Sequence, residues 1–354
     1  MPSVFLRSLM SSRLLLAGLL LTVAAPRAQS WDPRPSKKLE ALAPFVGSWR
    51  GEGRMIEPGD VETPWTSHST YRWALNGHFL QEDFTITMQG LSTPMVIRSY
   101  VGWDREHSRY VSVTVRSEGV AALNEVHLLD SGEMLTVQTH HLQGVPYQER
   151  ARVVVDGDVM KMRIDMLLHE GDSLQVIDGV MKRCDDAFDG DWDTPTWMGA
   201  QPAAPMAKLA RMAGSYVTKG EMAMAPGAPM TEITGADRWD MVFGGTVMQC
   251  RTEGQAGGGG ATYECYAYWA WDAHRRRLRN VYVDNMGMVG AMDGWWHQDK
   301  LVSTMAGLSM GTPTTQRFVI HVDADGVTTG CEGHTAMGLM EPFLSFRMKF
   351  EKQK

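Results

Sequence analysis

Long apolar runs are nearly absent from this 354-residue chain. The one that stands out, residues 14–25, is 12 residues long, well short of the roughly 20 a bilayer-crossing helix needs. No membrane span is expected. Cysteine is scarce: Cys184, Cys250, Cys265 and Cys331 show no CxxC spacing, which excludes the common zinc and dithiol motifs. Basic excess is absent too. The formal net charge is −7, which argues against a nucleic-acid partner, since such binding wants a basic stripe. There is no Gly-x-Ser-x-Gly elbow, no His-Glu-x-x-His and no His-x-His, and the glycine run 257–260 lacks the Lys-Ser/Thr of a phosphate loop. Paired acids such as Asp185-Asp186 sit in a linker-like stretch. On these grounds no catalytic residue, metal or cofactor is assigned.

The first thirty residues carry Arg7 and Arg13 ahead of the apolar run, and no acid. That is the layout of a secretory leader, and residues 1–30 read as a signal peptide. Val23-Ala24-Ala25 and Ala28-Gln29-Ser30 both suit cleavage. An exported protein, periplasmic or extracellular, is expected. Loss of Arg7, Arg13 and Arg27 takes the net charge to −10. Export permits disulfides. Cys250 and Cys265 flank the loop 254–260, and two strands joined there could set them opposite each other.

What the chain does have is a repeat. Leu42-Ala43-Pro44-Phe45-Val46-Gly47-Ser48-Trp49 returns 167 residues later as Leu209-Ala210-Arg211-Met212-Ala213-Gly214-Ser215-Tyr216. Gly102-Trp103-Asp104 returns as Ala270-Trp271-Asp272, and Gly119 as Gly287, both 168 later. Met181-Lys182 returns as Met348-Lys349, again 167 later. Two copies of one domain follow, 31–183 and 207–354, joined by an acidic, Pro-containing linker, 184–206. In that linker Asp189, Asp191 and Asp193 have calcium-loop spacing, but Thr194 and Ala200 stand where Gly and Glu are required.

Each copy reads as short strands parted by turns. In the first they are 46–55, 67–75, 79–88, 95–103, 110–116, 123–129, 134–140, 149–155, 159–166 and 174–183. The turns carry their own chemistry in Asp156-Gly157, Asp325-Gly326 and Pro226-Gly227. Such spacing predicts an all-β sandwich or barrel. Only 35–42 and 204–212, just ahead of each copy, have helical spacing.

Gly47-x-Trp49 lies on the first strand, and Lys182-Arg183 ends the last. A tryptophan closing a barrel floor needs its face covered, and a cation from the neighbouring last strand can do that. Gly47 allows the close approach. In the second copy the corresponding set is Gly214, Tyr216 and Arg347, with Lys349. This arrangement resembles the calycin superfamily of lipocalins and fatty-acid-binding proteins. The fuller pattern is similar to one bacterial family, a domain of unknown function often found exported. It comprises Leu…Gly-x-Trp, then Asn76-Gly77 and Gly244-Gly245, then Trp103-Asp104 and Trp271-Asp272, with Met222-Ala223-Met224-Ala225-Pro226-Gly227 like its first hairpin. The first copy has Glu57-Pro58-Gly59-Asp60 at that hairpin. The resemblance covers about residues 40–183 and 207–352. It implies two tandem antiparallel lipocalin-like barrels and no established activity.

Three side-chain sets invite a functional reading. Asp104 and Asp272 open turns rich in bases, Arg105, His107 and Arg109, and His274 to Arg277. An Asx-capped turn with a solvated tip is preferred to an anion-binding rim. Of eleven histidines, His140 and His141 are adjacent and face opposite sides of a strand, while His169 and His334 sit at similar places in the two copies. No haem or metal ligand emerges. Methionine is over-used, with 26 residues of which 15 follow position 205. It suits an adaptable apolar lining better than a copper site. The expected lining is Trp73, Phe84, Trp239, Tyr263, Trp269, Tyr282, Met286 and Met288, the last two on one strand face. The leading reading is non-catalytic binding of a small, largely apolar molecule, with the second copy favoured. An enzyme built in a barrel cavity, or a structural module with solid barrels, stands as the alternative. Oligomeric state is not legible.

Overall fold

The computed structural model describes residues 34–142, 145–168, 173–188, 190–192, 201–223, 227–256, 262–309, 312–337 and 342–353. The leader, Asp189, Asp193, His169, Met224 and the glycine run 257–260 lie outside the described residues. Residues Arg34–Lys354 form one compact unit.

Twenty strands build two closed antiparallel barrels in tandem. The first comprises β1 (Gly47–Glu57), β2 (Val61–Ala74), β3 (Phe79–Met88), β4 (Met95–Asp104), β5 (Arg109–Arg116), β6 (Val120–Leu128), β7 (Met134–Leu142), β8 (Val145–Asp156), β9 (Val159–Leu168) and β10 (Ser173–Cys184). The second comprises β11 (Gly214–Ala223), β12 (Thr231–Val242), β13 (Val247–Ala256), β14 (Tyr263–Asp272), β15 (Arg277–Asp284), β16 (Val289–His297), β17 (Lys300–Ser309), β18 (Thr312–Val322), β19 (Thr328–Met337) and β20 (Pro342–Lys352). First and last strands pair in each, so neither sheet has a free edge.

Where one face looks into the lumen and the other to water, burial alternates, as along β1. Strand β3 breaks that rule and is buried on nearly every residue. Its outer face is covered by the segment between the barrels, with Thr85 against Gly190 and Asp83 joined through Arg98 to the Trp192 ring, and only Phe79 reaches the other barrel. Leu75, Phe79, Tyr100, Val113 and Val115 form one apolar cluster with Phe243, Val247, Tyr268, Val281 and Val283. These are the same positions of the two copies, 168 apart. At the centre the Tyr100 and Tyr268 hydroxyls hydrogen-bond at 2.9 Å. Gly119 faces Thr246, and Gly287 faces His78, its copy-related pair. The barrels therefore pack about a pseudo-twofold axis, in the isologous manner of a dimer.

A short helix precedes each barrel and plugs its first end. The 3-10 helix Lys37–Phe45 inserts Leu39, Leu42 and Phe45. The helix Ala204–Ala210 inserts Met206 and Leu209, followed by Met212.

The floors match in design and differ in parts. In the first barrel the Trp49 Nε1–H donates to the Phe45 carbonyl at 2.9 Å. The Arg183 guanidinium stacks 4.2 Å from the Trp49 ring and donates to the Val46 carbonyl at 2.6 Å. Gly47 has φ +132°, and a Cβ there would lie 2.3 Å from Arg183. In the second barrel the Tyr216 hydroxyl donates to the Met212 carbonyl at 2.7 Å. Its cation is Lys352, not the expected Arg347. Lys352 lies 5.9 Å over the Tyr216 ring, donates to the Ala213 carbonyl at 2.8 Å and closes on Gly214. Arg347 is exposed and paired with Glu221 at 2.7 Å. The reason is register. Trp49 pairs with Arg183 and Tyr216 with Lys352, an offset of 169 on the last strand. The shift enters between β18 and β19, where His321 pairs with Gly330 as Val154 does with Lys161, so that connection is two residues longer and carries a bulge at His321/Val322. The repeat of Met181-Lys182 as Met348-Lys349 is thus not a structural equivalence.

Candidate functional site

The two lumens are lined by equivalent positions carrying different chemistry. One lateral row makes the comparison. In the first barrel, pairing runs Trp49–Ser69–Phe84–Ile97–Arg116 across β1 to β5. In the second it runs Tyr216–Asp237–Thr252–Cys265–Asp284 across β11 to β15. Serine has become aspartate, two apolar residues have become polar, and arginine has become aspartate.

The first lumen is filled at the end away from its floor. Arg116 pairs with Glu118 at 2.8 Å and Glu149 at 3.1 Å. His140 lies 3.7 Å from Glu149 and stacks on Tyr147 at 5.3 Å. Trp65 covers Gly53 and Gly179, where any Cβ would strike its ring within 2.4 Å. Deeper in, the Tyr71 hydroxyl donates to Glu82. Burial pushes the Glu82 carboxyl up to about 7 against that hydrogen bond, with Asp83 nearby adding to the rise. The charged groups here pair with one another, while the Trp65 Nε1–H, the Ser67 and Ser69 hydroxyls and Gln138 Oε1 are buried without hydrogen bonds.

In the second lumen those bulky groups are missing. Gly307 stands where His140 does, Thr314 where Tyr147 does, Met305 for Gln138 and Gln316 for Glu149, each 167 residues on. Leu301 and Ser303 are buried and Ala306 is exposed, so Gly307 faces inward. A Cβ built on it meets nothing within 4 Å among the described residues.

Polar groups in this lumen also lack partners. Asp237 is buried, and its Oδ1 accepts the Thr252 hydroxyl. Its Oδ2, the Thr218 hydroxyl and the Trp239 Nε1–H are buried without hydrogen bonds, as are Asp284 Oδ2 and the Thr314 hydroxyl. Burial raises the Asp237 carboxyl, and it lifts Asp284 to about 6 although the Met286 and Met288 N–H groups donate to Asp284 Oδ1. Native interiors rarely leave so many polar atoms unpaired unless water or a ligand joins them. Burial also pushes the Cys265 and Cys331 thiols up to about 12, so they are protonated, inert side chains at neutral pH.

The residues expected to line a cavity divide. Phe84 faces the first lumen. Trp239, Trp269, Tyr263 and Tyr282 face the second, where Gly294 leaves room for the Trp269 ring and Gly290 for the Tyr282 ring. Trp73 lines neither: it is 39% exposed at the end of β2. Met286 and Met288 do not share a strand face. They belong to the β15–β16 turn, and Met288 is exposed. Asp237 and Asp284 were not expected in the site. Buried acids look like turn acids in a strand-rich sequence, and only the comparison of copies, Ser69 with Asp237 and Arg116 with Asp284, could have singled them out.

Other expectations resolve outside the lumens. All four cysteines are free, and Cys250 pairs across with Ala267 while Cys265 pairs with Thr252, so the two are diagonal rather than opposed. Asp104 accepts the Glu106 and His107 N–H groups, and Asp272 the Arg275 N–H, as turn caps. Arg277 and Arg279 are both held by Asp293. Among the described residues no three His, Cys, Asp or Glu converge to hold a metal ion. No described helix is long and apolar enough to cross a membrane. An outer cleft of about 520 Å³ lies beside Arg98, Trp192 and Arg238. Its cations are engaged, Arg98 by Asp83 and the Trp192 ring, Arg238 by Asp240.

Solved structures with a similar chain course share little sequence. The S-type phycobiliprotein lyase CPES of Guillardia theta is 11% identical, with a TM-score of 0.32, covering 44% of this chain and 96% of its own. Rv2717c of M. tuberculosis is 14% identical, with a TM-score of 0.33, covering 42% and 99%. A DUF3598 protein of unknown function from Nostoc punctiforme is 9% identical, with a TM-score of 0.27, covering 90% and 100%. No curated protein matches the sequence. One family model does, twice, over residues 34–183 and 201–337, and the chain accordingly belongs to DUF1579, a family of proteins of unknown function, as a tandem duplicate.

Proposed function

We propose that this protein is a non-catalytic carrier of a small, largely apolar molecule, held in the lumen of its second barrel. The observation that carries the reading is the buried polar row from Asp237 to Asp284, whose Oδ2 atoms lack hydrogen bonds, in a lumen where Gly307 stands in place of the first barrel's His140. Around it stand Trp239, Trp269, Met248 and Leu278, the mix of apolar walls and few polar anchors expected of a ligand site. The first barrel, plugged by Arg116, Glu149 and His140, serves as scaffold.

The test is native mass spectrometry of the full chain, recovered gently from its source. An organic mass should accompany the wild type and be lost in Gly307→Trp, which fills the lumen. A ligand retained by Gly307→Trp would remove the second barrel from consideration.

A second reading has one observation behind it. Glu82 near 7 and Asp284 near 6 lie in the range of a general acid or base. Glu82 is tied to Tyr71, and burial pushes the Cys265 thiol beside Asp284 up to about 12, so the carrier reading is preferred. Turnover of the co-purified molecule by wild type but not by Asp284→Asn would reverse that order.

We further infer export through the leader at residues 1–30, supported by Arg7, Arg13 and the apolar run after them. N-terminal sequencing of the mature protein should find the chain beginning after residue 25 or 30. A cytoplasmic product starting at Met1 would refute it.

A further inference from the structure

We propose that the second lumen selects a ligand whose polar end is a cationic amine, and rejects carboxylates. This deepens the carrier reading and rests on it.

The argument is charge and satisfaction. Two carboxyl groups, Asp237 and Asp284, face this lumen, and each is at most 5% exposed. Each keeps one oxygen without a close hydrogen bond, and the groups nearest them are neutral, Thr218 and Trp239 beside Asp237 and Tyr263 beside Asp284. The cations of this barrel are directed elsewhere. Arg251 is held by Glu253 and Glu264, Arg277 and Arg279 by Asp293, and Arg347 by Glu221. Lys352 is drawn to the Ala213 carbonyl at the exposed floor. Among the described residues no ion pair joins a Lys, Arg or His to Asp237 or Asp284.

A buried carboxylate without a counter-charge is costly unless something pairs with it. The first barrel shows what the protein does when it needs that pairing from its own chain. At the position of Asp284 it has Arg116, flanked by Glu118 and Glu149. The second barrel supplies acids and omits the base. An alkylammonium in this lumen would provide the missing charge and up to three N–H donors to one of these carboxylates. A carboxylate there would face two acids and no cation.

The experiment uses the full-length protein and calorimetric titration with two matched probe series: decylamine, 1-decanol and decanoate, and 1-naphthylmethylamine, 1-naphthalenemethanol and 1-naphthoate. The amine is expected to bind about tenfold or more tighter than its alcohol, with the carboxylate weakest. In Asp237→Asn/Asp284→Asn the amine should fall to the alcohol's affinity. Unchanged alcohol binding in that variant shows that the barrel remains folded. An alcohol or carboxylate binding as tightly as the amine overturns the amine assignment and leaves the carrier reading standing. An amine preference that survives the double substitution overturns the assignment to these two acids. Binding of no probe in either series overturns the carrier reading itself.

Discussion

The two barrels share strand count, closure, helical plug and floor geometry, yet equivalent lumen positions carry different side chains. In the first, His140, Tyr147, Arg116 and Glu149 occupy the end away from the floor. In the second, Gly307, Thr314, Asp284 and Gln316 hold those places and leave polar atoms unpaired. Duplication frees one copy to keep the fold while the other changes its lining. The difference teaches that the wall and the floor are what the architecture demands. The lumen surface is free to vary, because a barrel of this size can be filled by side chains or by a ligand.

The largest expected effect comes from separating the copies. Val281 and Val113 are fully buried at the pseudo-twofold contact. Val281→Asp places an unpaired charge there and should cost about 3–5 kcal/mol. Urea unfolding would read it. A variant of wild-type stability would mean that the barrels do not depend on each other. The same face makes residues 201–354 alone a candidate for self-pairing through Tyr268, rather than a free monomer.

The floors come next. Trp49→Ala removes a fully buried indole, its hydrogen bond and its cation contact, and should cost about 3–5 kcal/mol. Tyr216→Phe keeps the ring and loses one hydrogen bond, for about 1 kcal/mol. Lys352→Ala should cost about 0.5–1 kcal/mol, whereas Arg347→Ala should leave the thermal midpoint unchanged. Equal effects at Lys352 and Arg347 would break the assignment of the second floor.

The pH response compares one acid from each lumen. Glu82 in the first barrel is raised from 4.5 to about 7 by burial. The folded state therefore binds its proton more tightly than the unfolded chain, and stability falls as pH rises from about 4.5 to 7. Asp284 in the second barrel, raised from 3.8 to about 6, gives the same sign over a lower window. Glu82→Gln should flatten the upper part of the decline and Asp284→Asn the lower, each by about 1–2 kcal/mol. Identical pH profiles for wild type and both variants would show that neither acid titrates as its burial implies.

Much of the fold was legible because it rests on local patterns. Alternation marked all ten strands of the first copy, and the short helical runs before each copy are the observed plugs. The glycine before the floor aromatic reads directly as close approach, and Gly47 against Arg183 is that approach. Failures came where position depends on register. The partner of Tyr216 is Lys352 rather than Arg347 because the β18–β19 connection is two residues longer than its counterpart and moves the last strand's register. Cys250 and Cys265 missed each other by two residues for the same kind of reason. Met286 and Met288 were assigned to a strand that ends at Asp284, whose carboxylate gathers their N–H groups into a turn. The candidate site was half legible: its aromatics by composition, its acids not at all.

By itself the sequence determined the repeat, the all-β class and the glycine–aromatic floor, since these follow from periodicity, backbone sterics and spacing within a few residues. The tertiary structure alone decided three things. It set the pseudo-twofold contact, which joins residues 168 apart. It placed the floor cation through strand register. It buried Asp237 and Asp284 in the second lumen, each with one oxygen lacking a close hydrogen bond. Each depends on which groups face each other across a closed sheet, and a lateral neighbour in a barrel can lie anywhere along the chain.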